Sequence, residues 1–231
     1  MTANEPAELR GIYQLRFEKM RAYRKRVWAV LIREKFQALV KPGDTVLDLG
    51  CGYGEFINQI RCGKKYGMDL NPDSRDNLAS DVTLIEQDCS VRWPFPDGKL
   101  DTVFTSNFFE HLPVKAALKA TLDEAHRCLK PGGQIIAMGP NIKYLPDSYW
   151  DFWDHHLPLT EASLSEGPTN CGFTIRECVA RFLPYTMVNA REYPDIFIST
   201  CLRMKPLWRF FGRQFLVHAT KCAAEGVGSN P

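Results

Sequence analysis

The chain has no Cys-x-x-Cys pair and no Cys/His grouping at zinc spacing, although eight cysteines are spread over its 231 residues. A metal site is therefore not expected. Nor is there an apolar run approaching the roughly 18 residues that a membrane-crossing helix needs, which excludes a transmembrane helix. No secretory leader is read ahead of the cysteines, and several of them fall in predicted strands or helices, as buried thiols of a reducing compartment do. The cytoplasm is the expected location. Internal repeats and low-complexity blocks are also missing. What remains is ordinary: 45% apolar and 24% charged residues, the balance of a soluble globular protein. The length suits one domain with a full core.

A net charge of only +2 hides an uneven distribution. Residues 1–41 carry ten Lys/Arg against four Asp/Glu, and residues 203–221 carry five Lys/Arg and no acid. The second stretch interleaves Trp208, Phe210, Phe211 and Phe215 with its basic residues. Such runs suit nucleic acid, an anionic substrate or a membrane surface, but a solvated helix face is the commoner explanation. Burial of the stretch around Trp208 against a sheet is favoured here over peripheral membrane contact.

Residues 8–40 read as one or two helices, with Ile12, Leu15, Val27, Leu31 and Phe36 in an irregular apolar stripe. After a Pro42-Gly43-Asp44 turn, Thr45 to Leu49 is an apolar run of the kind that fills a buried parallel strand. Further strands are predicted at 65–69, 82–86, 100–106 and 134–138, with a short helix at 55–60 and a clear one at 115–129, ended by Lys130-Pro131-Gly132-Gly133. Residues 139–159 read as an irregular cover segment, and a helix from Thr160 is expected to be interrupted at Glu166-Gly167-Pro168. Gly172-Phe173 opens a sixth strand, a loop-and-helix insertion follows, and 214–220 suits a last, antiparallel strand. This is an α/β pattern: a Rossmann-like, doubly wound, mostly parallel sheet in a single domain, with its ligand crevice at the carboxyl ends of the strands. The expected parts are an amino-terminal helical cover (1–41), a cofactor-binding core (42–141), an acceptor cover with the last strands (142–222) and a loose tail (223–231).

The strongest motif is Asp48-Leu49-Gly50-Cys51-Gly52-Tyr53-Gly54-Glu55 at the end of the first strand. Alternate glycines Gly50, Gly52 and Gly54 let the backbone bend sharply and approach a ligand closely. The dinucleotide fingerprint spaces its third glycine one residue further on, so a nucleotide-like cofactor without a pyrophosphate cradle is implied. Asp69, with Leu70, ends the second strand, where an acid accepts both ribose hydroxyls; a helix N-cap is the plainer reading of an acid there. Asp88 and Cys89 end the third, where a carboxylate takes the adenine amino group and a backbone amide faces a ring nitrogen. Ser106 and Asn107 at the end of the fourth strand complete the expected cofactor set. Three acids at three successive strand ends are far harder to obtain by chance than one.

Together with Leu100-Asp101-Thr102-Val103-Phe104 and Leu129-Lys130-Pro131-Gly132-Gly133, these motifs resemble the class I methyltransferases of the type 11, ubiquinone-biosynthesis-like group over residues 42–140. Gly139-Pro140-Asn141, the aromatic run 149–156 and Trp208-Arg209-Phe210-Phe211-Gly212 are similar to bacterial enzymes of polysaccharide and natural-product pathways. The resemblance implies seven strands, S-adenosylmethionine across the first three strand ends, and an acceptor site roofed by the amino-terminal helices and the segment after strand five. Asp48 would then meet the cofactor's ammonium group, directly or through water.

Methyl transfer asks the protein chiefly for alignment, because the sulfonium already makes the methyl electrophilic. An oxygen acceptor also needs a base. His111, His155 and His156 are the candidates, with Asp154 able to orient an imidazole; a helix cap and a pinned loop are the plainer readings. Phe108, Tyr149, Trp150 and Trp153 are candidates for an acceptor pocket, though aromatics in a cover segment more often simply pack. The stretch Ser106-Asn107-Phe108-Phe109 lacks the Pro-Pro-aromatic clamp that holds a flipped base, and no Pro-Cys nucleophile stands there, so DNA is disfavoured. The expected reaction is methylation of a small molecule, a sugar, lipid-linked or natural-product intermediate, at oxygen before nitrogen or carbon. An RNA or protein methyltransferase, or a cofactor-binding partner subunit without activity, is the alternative.

Overall fold

Thr45-Val46-Leu47-Asp48-Leu49 forms β1 (Thr45–Leu49), and every residue of it is buried. β2 (Lys64–Met68) pairs parallel to one side of it, with β3 (Val82–Ile85) beyond; β4 (Leu100–Ser106) and β5 (Leu129–Pro140) continue parallel on the other side. β7 (Gln214–Lys221) is antiparallel to both β5 and β6 (Phe173–Val179), giving the order β3-β2-β1-β4-β5-β7-β6 in one seven-stranded sheet. This is the α/β sheet expected from the alternation of elements. The last strand slots between the fifth and sixth instead of forming an edge. The computed structural model describes residue 11 and residues 20–184 and 192–222, so most of the helical stretch expected before residue 20 and the expected tail lie outside it.

The central strands β1 and β4 are buried almost end to end because both faces of the sheet are covered there, whereas β2 opens on an exposed Lys64 and β6 alternates between less and more exposed positions. Side chains alternate between two cores: Leu47, Leu49, Val103, Ile135 and Ala137 face one way, while Val46, Phe104, Ile136 and Met138 face the other. The first core is closed by α3 (Lys115–Cys128), whose buried Leu118, Leu122 and Ala125 follow helical spacing. α1 (Arg21–Glu34) closes the second with Trp28, which meets Phe56 and Phe104 edge-on, while those two rings stack with centroids 3.7 Å apart.

Several local expectations are corrected. Residues 55–60 form a run of turns, not a helix: Asn58 N–H donates to Gly54 O and Ile60 to Phe56 O, but no continuous ladder develops over so short a crossover. β2 (Lys64–Met68) and β3 (Val82–Ile85) each stop one residue short of the predicted limit, whereas β5 begins at Leu129, because the Lys130-Pro131-Gly132-Gly133 segment joins the ladder through a register shift opposite Leu100 and Thr102. α4 (Glu161–Asn170) runs straight through Glu166-Gly167-Pro168. Pro168 forfeits a single bond near the end of the helix, and the reciprocal Thr160/Ser163 capping box secures the start. α2 (Ser74–Asn77) is a single turn between β2 and β3.

The insertion before β7 supplies α5 (Asp195–Arg203) and α6 (Lys205–Phe211). Trp208 packs edge-on against Phe182, its indole N–H donates to Cys201 O, and Phe215 is buried in β7. Phe210 and Phe211 instead remain 69% and 59% exposed, so burial of the basic aromatic stretch is only partial. A two-turn helix offers one face to the body and leaves the other outside. Among the described residues no helix is long and apolar enough to cross a membrane. All eight cysteines are free; Cys51, Cys89 and Cys128 are buried, Cys178 and Cys222 exposed.

Glu34 ties the amino-terminal cover to the insertion, accepting from Arg203 Nε at 2.8 Å and Ser199 Oγ at 2.9 Å. The Arg203 and Ser199 bonds lower its carboxyl from 4.5 to about 2. A folded pKa below the unfolded one stabilises above the unfolded value, and the contribution fades as pH falls from about 4.5 towards about 2. Glu34→Gln is therefore expected to lower stability at pH 6 and to differ little from the parent near pH 2.5. Urea unfolding at the two pH values checks this; an equal deficit at both refutes the assignment.

Candidate active site

The carboxyl end of β1 runs into the glycine turn, where Gly50, Gly52 and Gly54 all hold positive φ (71°, 52° and 76°). Only glycine takes these conformations readily. Position 50 is constrained a second time, because a Cβ there would overlap the Phe108 ring. Gly50 and Cys51 donate to Met68 O at 2.8 and 3.3 Å, folding the turn back over the end of β2. The Asp69 carboxylate then bridges segments: Oδ2 accepts from Gly52 N at 2.7 Å and Oδ1 from Asn71 N at 2.8 Å. Each oxygen retains a further lone pair.

Asp48 lies beneath this turn, 4% exposed. Burial, with the charges of Glu55 and Asp69 adding to it, pushes its carboxyl well above the usual range, against the opposing Ile57 amide. Burial raises Asp69 as well, against the Asn71 and Gly52 amides that favour its charged form. Arg24 pairs with Glu55 at 2.7 Å, and Arg21 stands over the Tyr53 ring. The carboxyls of Asp48 and Asp69 thus crowd one turn without a salt bridge of their own among the described residues, which is a setting made for a cation.

The remaining expected cofactor residues line up along the same edge. Asp88 Oδ1 accepts from Ser90 N and Oγ at 2.7 and 2.8 Å, so its second oxygen is the one open to a ligand. Cys89 is buried: its sulfur accepts from Thr121 Oγ1, its carbonyl from the Trp93 indole, and burial pushes its thiol up to about 12. An inert thiol leaves this position its backbone. Leu70 is half-buried beyond β2. Ser106 ends β4, and Asn107 is the one described non-glycine residue with positive φ (50°); its side chain donates to Ser106 Oγ at 2.9 Å.

Next to Asn107 the chain makes a 3₁₀ turn, Phe109–His111. Asp154, 43 positions downstream of His111, returns to it: His111 Nδ1 lies 3.0 Å from Asp154 O and 3.2 Å from Asp154 Oδ2. The sequence pointed to Asp154 as an orienting group, and its partner is His111. His155 packs against His111 with ring centroids 5.0 Å apart, stacks on Phe152 and meets Tyr149 edge-on. His156 is exposed and joins the group only through its amide, which donates to Glu110 O at 2.8 Å. Burial acts to lower His111, but Asp154 and Glu110 outweigh it and raise the imidazole above 6.5.

Glu110 was not singled out from the sequence. It is 1% exposed, and burial lifts its carboxyl to about 7. The available signal was an acid set in the apolar run Phe108-Phe109-Glu110-His111-Leu112, where burial has to be explained.

Residues 47–137 match the family described as "Methyltransferase domain", type 11. A methyltransferase domain of the class I, type 11 group therefore occupies residues 47–137. S-adenosylmethionine is the cofactor expected from the sequence motifs. A demethylmenaquinone methyltransferase of Symbiobacterium thermophilum is 28% identical over 141 residues, 54% of this chain and 55% of that protein. A 2-methyl-6-phytyl-1,4-hydroquinone methyltransferase of Synechocystis is 30% identical over 123 residues, 48% of this chain and 37% of that protein. The chain thus spans about a third to a half of the curated relatives' length. The crystal structure of a SAM dependent methyltransferase from Archaeoglobus fulgidus superposes with a TM-score of 0.65 at 25% identity, covering 88% of this chain and 97% of that one.

S-adenosylmethionine carries a sulfonium and an ammonium, and the under-neutralised carboxyls of Asp48 and Asp69 beside a close-approaching backbone fit that charge. Of the methyltransferase domain's expected acceptor residues, Phe108 lies on the glycine turn, while Tyr149 is fully buried with its hydroxyl donating to Leu157 O. Trp150 and Trp153 are 53% and 82% exposed, on the outside of the cover. A cavity of about 540 Å³ opens instead at the carboxyl end of β5 and β6, between α1, α5 and α6, lined by Tyr23, Tyr144, Phe182, Phe197 and Trp208 among others.

Asp69→Asn keeps the residue's size but replaces one acceptor oxygen by a donor and removes the charge. Cofactor affinity is expected to fall about tenfold to a hundredfold, the worth of one or two hydrogen bonds to a charged group. Calorimetric titration with S-adenosylmethionine checks this, with the thermal midpoint as a control for folding. Unchanged affinity removes Asp69 from the cofactor site.

Proposed function

We propose that the whole chain is an S-adenosylmethionine-dependent methyltransferase that methylates an oxygen of a small-molecule acceptor. The observation that carries this reading is the Glu110–His111–Asp154–His155 group beside the glycine turn, buried except for a part-exposed His111. His111 is close enough to Asp69 for its charge to act on that carboxyl, so the group stands near the cofactor's end of the cleft. An oxygen nucleophile must lose its proton as the methyl arrives, and groups able to accept it gather at this place. In this reading Asp48 meets the ammonium, Asp69 the ribose and Asp88 the adenine, and the sulfonium methyl is presented towards His111.

Several of the described basic amino-terminal residues are paired with acids of the same chain, which favours a small molecule over RNA. Arg24 pairs with Glu55, Arg26 with Glu192 and Asp195, and Lys35 with Glu177. Cations engaged in this way offer little to a phosphate backbone. The apolar lining of the 540 Å³ cavity suits a lipid-linked or natural-product acceptor better than a bare sugar. The quinone-directed names of the two curated relatives point in the same direction.

Transfer of labelled methyl from the cofactor to a panel of hydroxylated, apolar-tailed acceptors tests the proposal. Turnover is expected to survive high salt and to drop roughly a hundredfold in His111→Gln while cofactor affinity stays within about twofold. Labelling of RNA or protein with a steep salt dependence, or transfer only after a second chain is added, overturns it.

A further inference from the structure

Among the described residues, Glu110 stands out as a carboxylate with no hydrogen-bond partner. Both of its oxygens are buried, and neither has a hydrogen-bond donor. An ionised carboxyl in that position is strongly disfavoured unless something positive is bound to it. No lysine or arginine pairs with Glu110 among the described residues. What surrounds it is metal-ligand chemistry: Glu110, His111 and His155 each offer one ligand atom, and the three atoms lie within 4.8 Å of one another.

We infer that Glu110, His111 and His155 form a binding site for a divalent transition-metal ion of the zinc class. The donor set is two imidazoles and one carboxylate, which in zinc sites leaves a fourth position for water or substrate. Bond lengths near 2.1 Å place tetrahedral ligands about 3.4 Å apart, so closing the group around an ion requires a contraction of at most about 1.5 Å between any two ligand atoms. The outer shell is already in place. Asp154 lies against His111 Nδ1, and a carboxylate holding one ring nitrogen of a ligating histidine aims the other at the metal. His155 is fixed by its stack on Phe152 and its edge contact with Tyr149. Two ligands come from the turn after β4 and the third from the cover after β5, so the ion would fasten the cover to the sheet.

A hydroxyl held on such an ion ionises near neutral pH. That use of the site rests on the oxygen-methylation reading; metal binding itself does not, and it is measured with no acceptor present.

The protein is stripped with a chelator and titrated with Co²⁺ and Zn²⁺ by calorimetry and visible absorption. One equivalent is expected to bind, with the visible bands of a four- or five-coordinate Co²⁺ and no thiolate band from the eight cysteines. Glu110→Gln and His155→Gln should each weaken binding at least about tenfold. Asp154→Asn leaves the three ligands intact and should weaken it by a smaller factor, while the S-adenosylmethionine affinity of each metal-free variant reports folding. Absence of stoichiometric binding, a thiolate spectrum, or Co²⁺ affinity unchanged by Glu110→Gln and Asp154→Asn overturns the inference.

Discussion

Close packing of backbone at the carboxyl end of β1 is the constraint around which the site is built. Gly50 and Cys51 fold back onto Met68 O, Gly52 N–H reaches Asp69, and the Phe108 ring occupies the space a side chain at 50 would need. The ends of β1 and β2 and the loop after β4 are thereby held within hydrogen-bond or van der Waals reach of one turn. The positive φ angles of the glycines make that approach possible, and the fully buried β1 beneath them keeps it rigid. A larger residue in the turn would disturb the loop that carries Glu110 and His111 as well as the cofactor cleft.

Electrostatics divides the same end of the sheet into two compartments. Near β1 and β2 the buried carboxyl of Asp48 and the part-buried one of Asp69 crowd one turn without a salt bridge among the described residues. Near β4 and β5 the carboxyls of Glu110 and Asp154 face imidazoles instead. The proposed reaction would use this adjacency, with an electrophile held by fixed negative charge and a nucleophile held by groups that manage its proton. The apolar cavity between α1, α5 and α6 provides a third compartment on the same end. Glu34, shared by α1 and α5 through Ser199 and Arg203, holds the walls of that cavity together.

Much of this was legible in the residues themselves. Buried parallel strands announce themselves as apolar runs such as 45–49, and the acids at 48, 69 and 88 fall at strand ends because the repeating β-α unit spaces them there. Local chemistry was less informative at the short crossover 55–60 and at Glu166-Gly167-Pro168. In the first, a predicted helix stayed a set of turns; in the second, a proline near a helix end was tolerated because few bonds remained for it to break.

The sequence by itself determined the order of strands and helices, the glycine turn and the three acids, since each depends on periodicity or on neighbours only a few residues away. Tertiary structure alone decided which histidine Asp154 holds, that His156 faces out, that Trp150 and Trp153 stand outside the cover, and that Glu110 is buried without a donor. Those outcomes depend on a cover segment returning to the end of β4 from 43 positions along the chain, and contacts between such distant segments are set by the packing of the whole sheet.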